Sequence, residues 1–93
     1  MDLPVLEKDL VIVNQRGLHA RASAKLVKLV ETFDVEVYVS KDGQTVGGTS
    51  IMGLMMLAAS PGCRIHVAVS GNEADSALAA ITDLVEDGFG END

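Results

Sequence analysis

The sequence predicts an α+β domain of two layers, a four-stranded, largely antiparallel sheet covered by three helices in the order β-α-β-β-α-β-α. Three observations predict it. Four separate stretches alternate apolar and polar residues, which gives each strand one face to bury. Two longer stretches repeat their apolar residues every three or four positions, and a third, shorter one is apolar almost throughout. Glycine, proline or Asp-Gly pairs stand at most of the joints between them.

Taken in chain order, Val5 to Asn14 reads as a strand, broken by Gln15-Arg16-Gly17. From Ala20 to Phe33, the residues Ala22, Leu26, Leu29, Val30 and Phe33 share one helical face, and Lys25, Lys28 and Glu31 fall elsewhere. Val35, Val37 and Val39 alternate with Glu36 and Tyr38, and Asp42-Gly43 supplies the tight turn of a hairpin whose returning strand ends at Gly47 and Gly48. Thr49 or Ser50 can cap a short helix over Ile51 to Ala59, stopped by Ser60-Pro61-Gly62. Ile65, Val67 and Val69 then form one face of a fourth strand. The last helix carries Ala74, Ala77, Leu78, Ile81, Leu84 and Val85 in a stripe, with Asn72 as a candidate cap and Glu73 and Asp75 in its first turn. One domain is expected over residues 1–88, and the Gly-rich, acidic residues 89–93 are expected to be a frayed tail. Strand order within the sheet does not follow from these patterns.

Composition narrows the function. A chain of 93 residues has room for one core, and with 47% hydrophobic residues but only 3% aromatic ones that core is aliphatic. The net charge of −7 argues against nucleic acid or an anionic membrane as a partner. A single cysteine, Cys63, allows no internal disulfide and suits a reducing cytoplasm. No signal-like leader or membrane-length apolar run stands out. The charge is unevenly spread: residues 65–93 hold seven acids and no Lys or Arg, whereas Arg16, Arg21, Lys25 and Lys28 lie between Asp9 and Glu31 with no acid among them.

That basic zone surrounds His19, placed where the first helix begins. A neutral imidazole is a nucleophile, and a helix N-terminus offers unpaired N–H groups to an anion. A phosphoryl group on His19 would meet the N–H of Ala20 and the guanidinium groups of Arg21 and Arg16. Gly17 lets the backbone turn sharply before the ring. From spacing alone, a plain polar helix end explains the same residues. Neither His19 nor His66 has the paired Cys or carboxylate spacing of a metal ligand, so no metal or other cofactor is expected, and no nucleophile elbow is present.

Two motifs then carry a resemblance. "RGLHARASAKLVKLV", with Gly-Leu-His-x-Arg at residues 17–21, and "TSIMGLMMLAASPG", with Ser-Ile-Met-Gly at 50–53, closely resemble HPr, the histidine-containing phosphocarrier family of the bacterial phosphoenolpyruvate-dependent phosphotransferase system. The resemblance implies an open-faced β-sandwich. It implies that His19 is phosphorylated on Nδ1 by enzyme I and passes the group to a histidine of an enzyme IIA protein. Arg21 matches the family's active-site arginine. Ser50 matches a serine that a dedicated kinase phosphorylates in some bacteria. One departure is Ala22, where the family commonly has proline; this form looks closer to the nitrogen-related branch.

Other residues fill out the expectation. The helix "IMGLMMLAA" cannot bury every side, so Met52, Met56 and Leu57 are expected to form an exposed docking patch near His19, with Arg16 and Lys25 as rim charges. Ser50 is explained by capping alone, and a phosphate there would also repel an acidic partner. His66 is expected to be merely solvated, and Cys63 to be small apolar filler. The favoured reading is a monomeric, stoichiometric phosphoryl carrier, and its rival is a regulatory adaptor of the same fold.

Overall fold

The computed structural model describes residues 4–91; residues 1–3 and 92–93, at the two ends of the expected domain and tail, lie outside it. The elements are β1 (Leu6–Val11), α1 (Ala20–Val30), β2 (Glu36–Lys41), β3 (Gln44–Gly47), α2 (Ile51–Met56), β4 (Arg64–Ser70) and α3 (Ala74–Glu86), followed by a 3-10 turn at Gly88–Gly90. The strands lie in the order β1-β4-β2-β3, and each neighbouring pair is antiparallel. All three helices cover one face of this sheet.

Alternation decides which strand residues meet the helices. Val37 and Val39 on β2 and Ile65, Val67 and Val69 on β4 point inward with Leu10 and Ile12, and all are buried. The helices answer with Ala22, Leu26 and Val30 from α1, Leu54 from α2, and Ala77, Ile81 and Val85 from α3. Each fully buried Val, Leu or Ile side chain among these contributes about 1.5–3 kcal/mol. The opposite face is bare: Glu7, Asp9 and Val11 of β1 and Tyr38 of β2 are exposed there.

Several boundaries differ from the pattern, each for a local reason. β1 ends at Val11, although Ile12 still exchanges bonds with Cys63 and Gly62 before the chain turns at Asn14. α1 ends at Val30 because Thr32 and Phe33 donate three residues back, to Leu29 and Val30, and tighten the last turn. α2 ends at Met56, since Ala58 takes the left-handed conformation (φ 53°) that closes a helix. Asn72 does not cap α3. Its amide donates to Asp34 Oδ2 at 2.7 Å, and Glu73, at the cap position, accepts from the Asp34 N–H at 2.8 Å.

The expected frayed tail does not begin at residue 89. Phe89 is fully buried, at a positive φ of 58°, and its carbonyl accepts from Lys25 Nζ at 2.6 Å. A large aromatic side chain between two glycines finds a place in an otherwise aliphatic core. Its burial holds the chain down as far as Glu91.

Candidate functional site

The loop before α1 is shaped by Gly17. Its φ is +64°, its N–H bonds the Asn14 carbonyl at 3.2 Å, and a Cβ added to it would stand 2.1 Å from the carbonyl oxygen of Ala59. Glycine is therefore required twice over, by conformation and by contact. Leu18, next in the chain, donates its N–H to that same Ala59 oxygen at 2.9 Å. The loop that presents His19 is thus fastened to the segment leaving α2.

His19 is the N-cap of α1 (φ −74°, ψ −177°), but its side chain makes no capping bond and the first turn holds no acid. Its carbonyl accepts the Ser23 N–H at 2.9 Å, the first bond of the helix, and Ser23 Oγ turns back to the Leu18 carbonyl at 3.2 Å. The ring is left to reach elsewhere. Its Nε2 pairs with Oε2 of Glu91, from the far end of the chain. Nδ1 makes no hydrogen bond among the described residues.

Glu91 is itself held. Its Oε1 accepts from Asn14 Nδ2 at 2.9 Å, and the same amide donates to the Gly17 carbonyl at 2.9 Å. Only 8% of the Glu91 side chain is exposed, against 23% for His19. The bond from the Asn14 amide, then that from the His19 ring, together with the nearby charge of Lys25, holds the Glu91 carboxyl below the usual carboxylate range. Asn14 Oδ1 is buried without a partner among the described residues.

The residues expected at the site divide into three groups. His19, Ala20 and Arg21 stand together at the start of α1, with exposed Arg16 three residues before the ring; neither arginine makes a salt bridge among the described residues. Ser50 caps α2, its Oγ accepting the Gly53 N–H at 3.0 Å, and remains exposed. Met52 and Met56 are 73% and 69% exposed, as a docking patch requires, and Ile51 and Met55 add partly exposed apolar surface.

Two expectations are corrected. Leu57, at 3% exposure, faces the core and cannot belong to a docking surface. Lys25 is exposed, and its ammonium donates to the Phe89 carbonyl at 2.6 Å. His66 is also more than solvated: Nδ1 pairs with Asp9 at 2.8 Å and Nε2 with Glu7 at 2.7 Å, across the β1–β4 pair, and these bonds, Asp9 first, raise its pKa. No cluster of three His, Cys, Asp or Glu among the described residues could hold a metal ion, and no helix there is long and apolar enough to cross a membrane.

Asn14, Phe89 and Glu91 escape a reading of the sequence. The one hint is Phe89, one of only two phenylalanines, set in a stretch otherwise composed as a loose end.

A four-stranded antiparallel sheet with three helices on one face thus displays a histidine at the open end of the first helix. Comparison with known proteins makes this particular. The family described as "PTS HPr component phosphorylation site" matches residues 6–87, and the chain belongs to the HPr family. The phosphocarrier protein HPr of Neisseria meningitidis serogroup A is 44% identical over 89 residues, spanning 96% of this chain and all of that one. The phosphocarrier protein NPr of Shewanella violacea is 40% identical over 86 residues, covering 92% of this chain and 94% of its own. Among solved structures, HPr from Thermoanaerobacter tengcongensis superposes with a TM-score of 0.88 at 37% identity, covering 94% of this chain and 98% of that chain.

Proposed function

We propose that His19 is the group that carries the phosphoryl, taking it from a phosphohistidine of enzyme I and giving it to a histidine of an enzyme IIA protein. The observation that supports this best is the ring's placement. His19 stands at an uncapped helix start with Nε2 engaged by Glu91 and Nδ1 without a partner among the described residues. The lone pair of Nδ1 forms the new N–P bond, and the donor's nitrogen keeps the pair of the bond that breaks. The first-turn N–H groups and the Arg21 and Arg16 guanidinium groups then receive the phosphoryl oxygens. The chain acts as a stoichiometric carrier, a monomer that presents Met52 and Met56 to its partners.

Mixing the protein with enzyme I, magnesium and phosphoenolpyruvate tests this directly. The expected result is an acid-labile gain of one phosphoryl mass that disappears in His19→Ala. No gain by the wild type, or an equal gain by the variant, overturns the reading.

A second reading, a regulatory adaptor, is favoured by one observation: Ser50 is exposed at the head of the helix that bears Met52 and Met56. Phosphate there would place charge in the apolar patch. On this reading Ser50→Asp weakens binding to enzyme I, and unchanged affinity counts against it.

A further inference from the structure

A neutral histidine has one ring N–H and one ring lone pair, and its neighbours decide which nitrogen bears which. At His19 the neighbour of Nε2 is the Glu91 carboxylate. An ionised carboxylate offers only lone pairs, so the ring must present Nε2–H to it. The ring's own lone pair then sits on Nδ1.

We propose that Glu91 is a positioning residue that, seated by Asn14, selects the Nε2–H tautomer of His19 and so makes Nδ1 the phosphoryl-accepting nitrogen. Its consequence for transfer rests on the phosphocarrier reading above; the choice of tautomer does not.

The surroundings call for a carboxylate in particular. Asn14 Nδ2 is committed to the Gly17 carbonyl at 2.9 Å, which needs a donor, and the same amide group faces Glu91 Oε1 at 2.9 Å. Glu91 therefore stands between two donors, the Asn14 amide and the His19 ring, and meets each with a separate oxygen. Glutamine has one oxygen for the two places. With that oxygen kept on Asn14, its NH2 would face Nε2, and the ring would have to move its proton to Nδ1.

The seat is a built one. The Glu91 side chain is nine-tenths buried, Phe89 two residues earlier is fully buried, and Lys25 holds the Phe89 carbonyl. Through a transfer Nε2 keeps its proton and its bond to Glu91, while the Nδ1 lone pair becomes the N–P bond. Nothing in the contact has to break for the phosphoryl group to arrive.

Imidazole nitrogen-15 shifts of His19, recorded where the ring is neutral, test the tautomer without any phosphoryl donor. The wild type is expected to show Nε2–H with an unprotonated Nδ1. Glu91→Gln is expected to move the proton toward Nδ1, and Glu91→Ala to leave a mixture. Phosphorylation by enzyme I and phosphoenolpyruvate is expected to slow at least tenfold in Glu91→Gln and less in Glu91→Ala. A wild-type ring protonated on Nδ1, an unchanged Nε2–H in both variants, or an unchanged transfer rate in Glu91→Gln overturns the proposal. A wild type that accepts no phosphoryl group overturns the carrier reading instead, and the tautomer measurement still decides the role of Glu91.

Discussion

The ammonium of Lys25, on the second turn of α1, donates to the carbonyl of Phe89 at 2.6 Å and so ties the end of the chain beside the helix that His19 begins. With the Phe89 ring buried in the core, this bond turns a short acidic end into part of the site. Glu91 reaches His19 only because both fastenings hold.

Phe89→Ala is accordingly expected to act twice. Emptying a fully buried aromatic site costs about 3–5 kcal/mol, read as a lower urea midpoint. It also frees Glu91, so residual transfer by the folded variant should fall alongside that of Glu91→Ala. A stability loss under about 1 kcal/mol would show that the ring is not the anchor the burial implies.

Gly17→Ala tests the joint between the His19 loop and Ala59. The new Cβ would sit 2.1 Å from the Ala59 oxygen, in a backbone conformation that costs an L-residue about 1–2 kcal/mol by itself. We expect a loss of at least about 2 kcal/mol, with weaker amide protection at Leu18. Wild-type protection at Leu18 would disprove the contact.

The exposed and buried faces of the apolar α2 segment should separate docking from stability. Leu57→Ala removes a buried side chain and is expected to cost about 2–5 kcal/mol. Met52→Ala with Met56→Ala removes exposed surface, and should leave the urea midpoint within about 0.5 kcal/mol per site while weakening enzyme I binding. If binding is untouched, the patch is not the docking surface.

His66 gives the protein a pH dependence remote from the site. Bonds to Asp9 first and to Glu7 second raise its pKa in the folded chain. A raised folded pKa means that the folded state holds the proton more tightly than the unfolded one. The stability this adds is fully present below the ordinary imidazole value of about 6.5, and is lost as pH rises through the folded value. Urea midpoints of the wild type should fall across that window, and those of His66→Gln should fall less. Because the ring and both acids are largely exposed, the effect is small and shrinks with added salt. A slope of opposite sign would refute the pairing.

Much of the fold is legible in local pattern. Val37 and Val39, or Ile65, Val67 and Val69, declare a buried face by alternation, and Ala22, Leu26 and Val30 declare one by helical period. The same reasoning fails at α2, where nearly every residue is apolar and no contrast marks the inner side; Leu57 turns in, against expectation. At the site, the sequence motif places His19, Arg21 and Ser50 on their elements, but the partner of the His19 ring lies 72 residues away in a stretch that looks like a loose end.

The sequence by itself determined the seven main elements, the faces that β2, β4 and the two long helices bury, and a histidine at the start of the first helix, because each depends on the spacing of near neighbours. Only the tertiary structure decided the strand order β1-β4-β2-β3, the inward turn of Leu57, and the union of Asn14, His19 and Glu91. Those depend on which distant segments meet when the chain closes. Phe89 brings the last of them to His19 by entering the core, an act of packing that no local period announces.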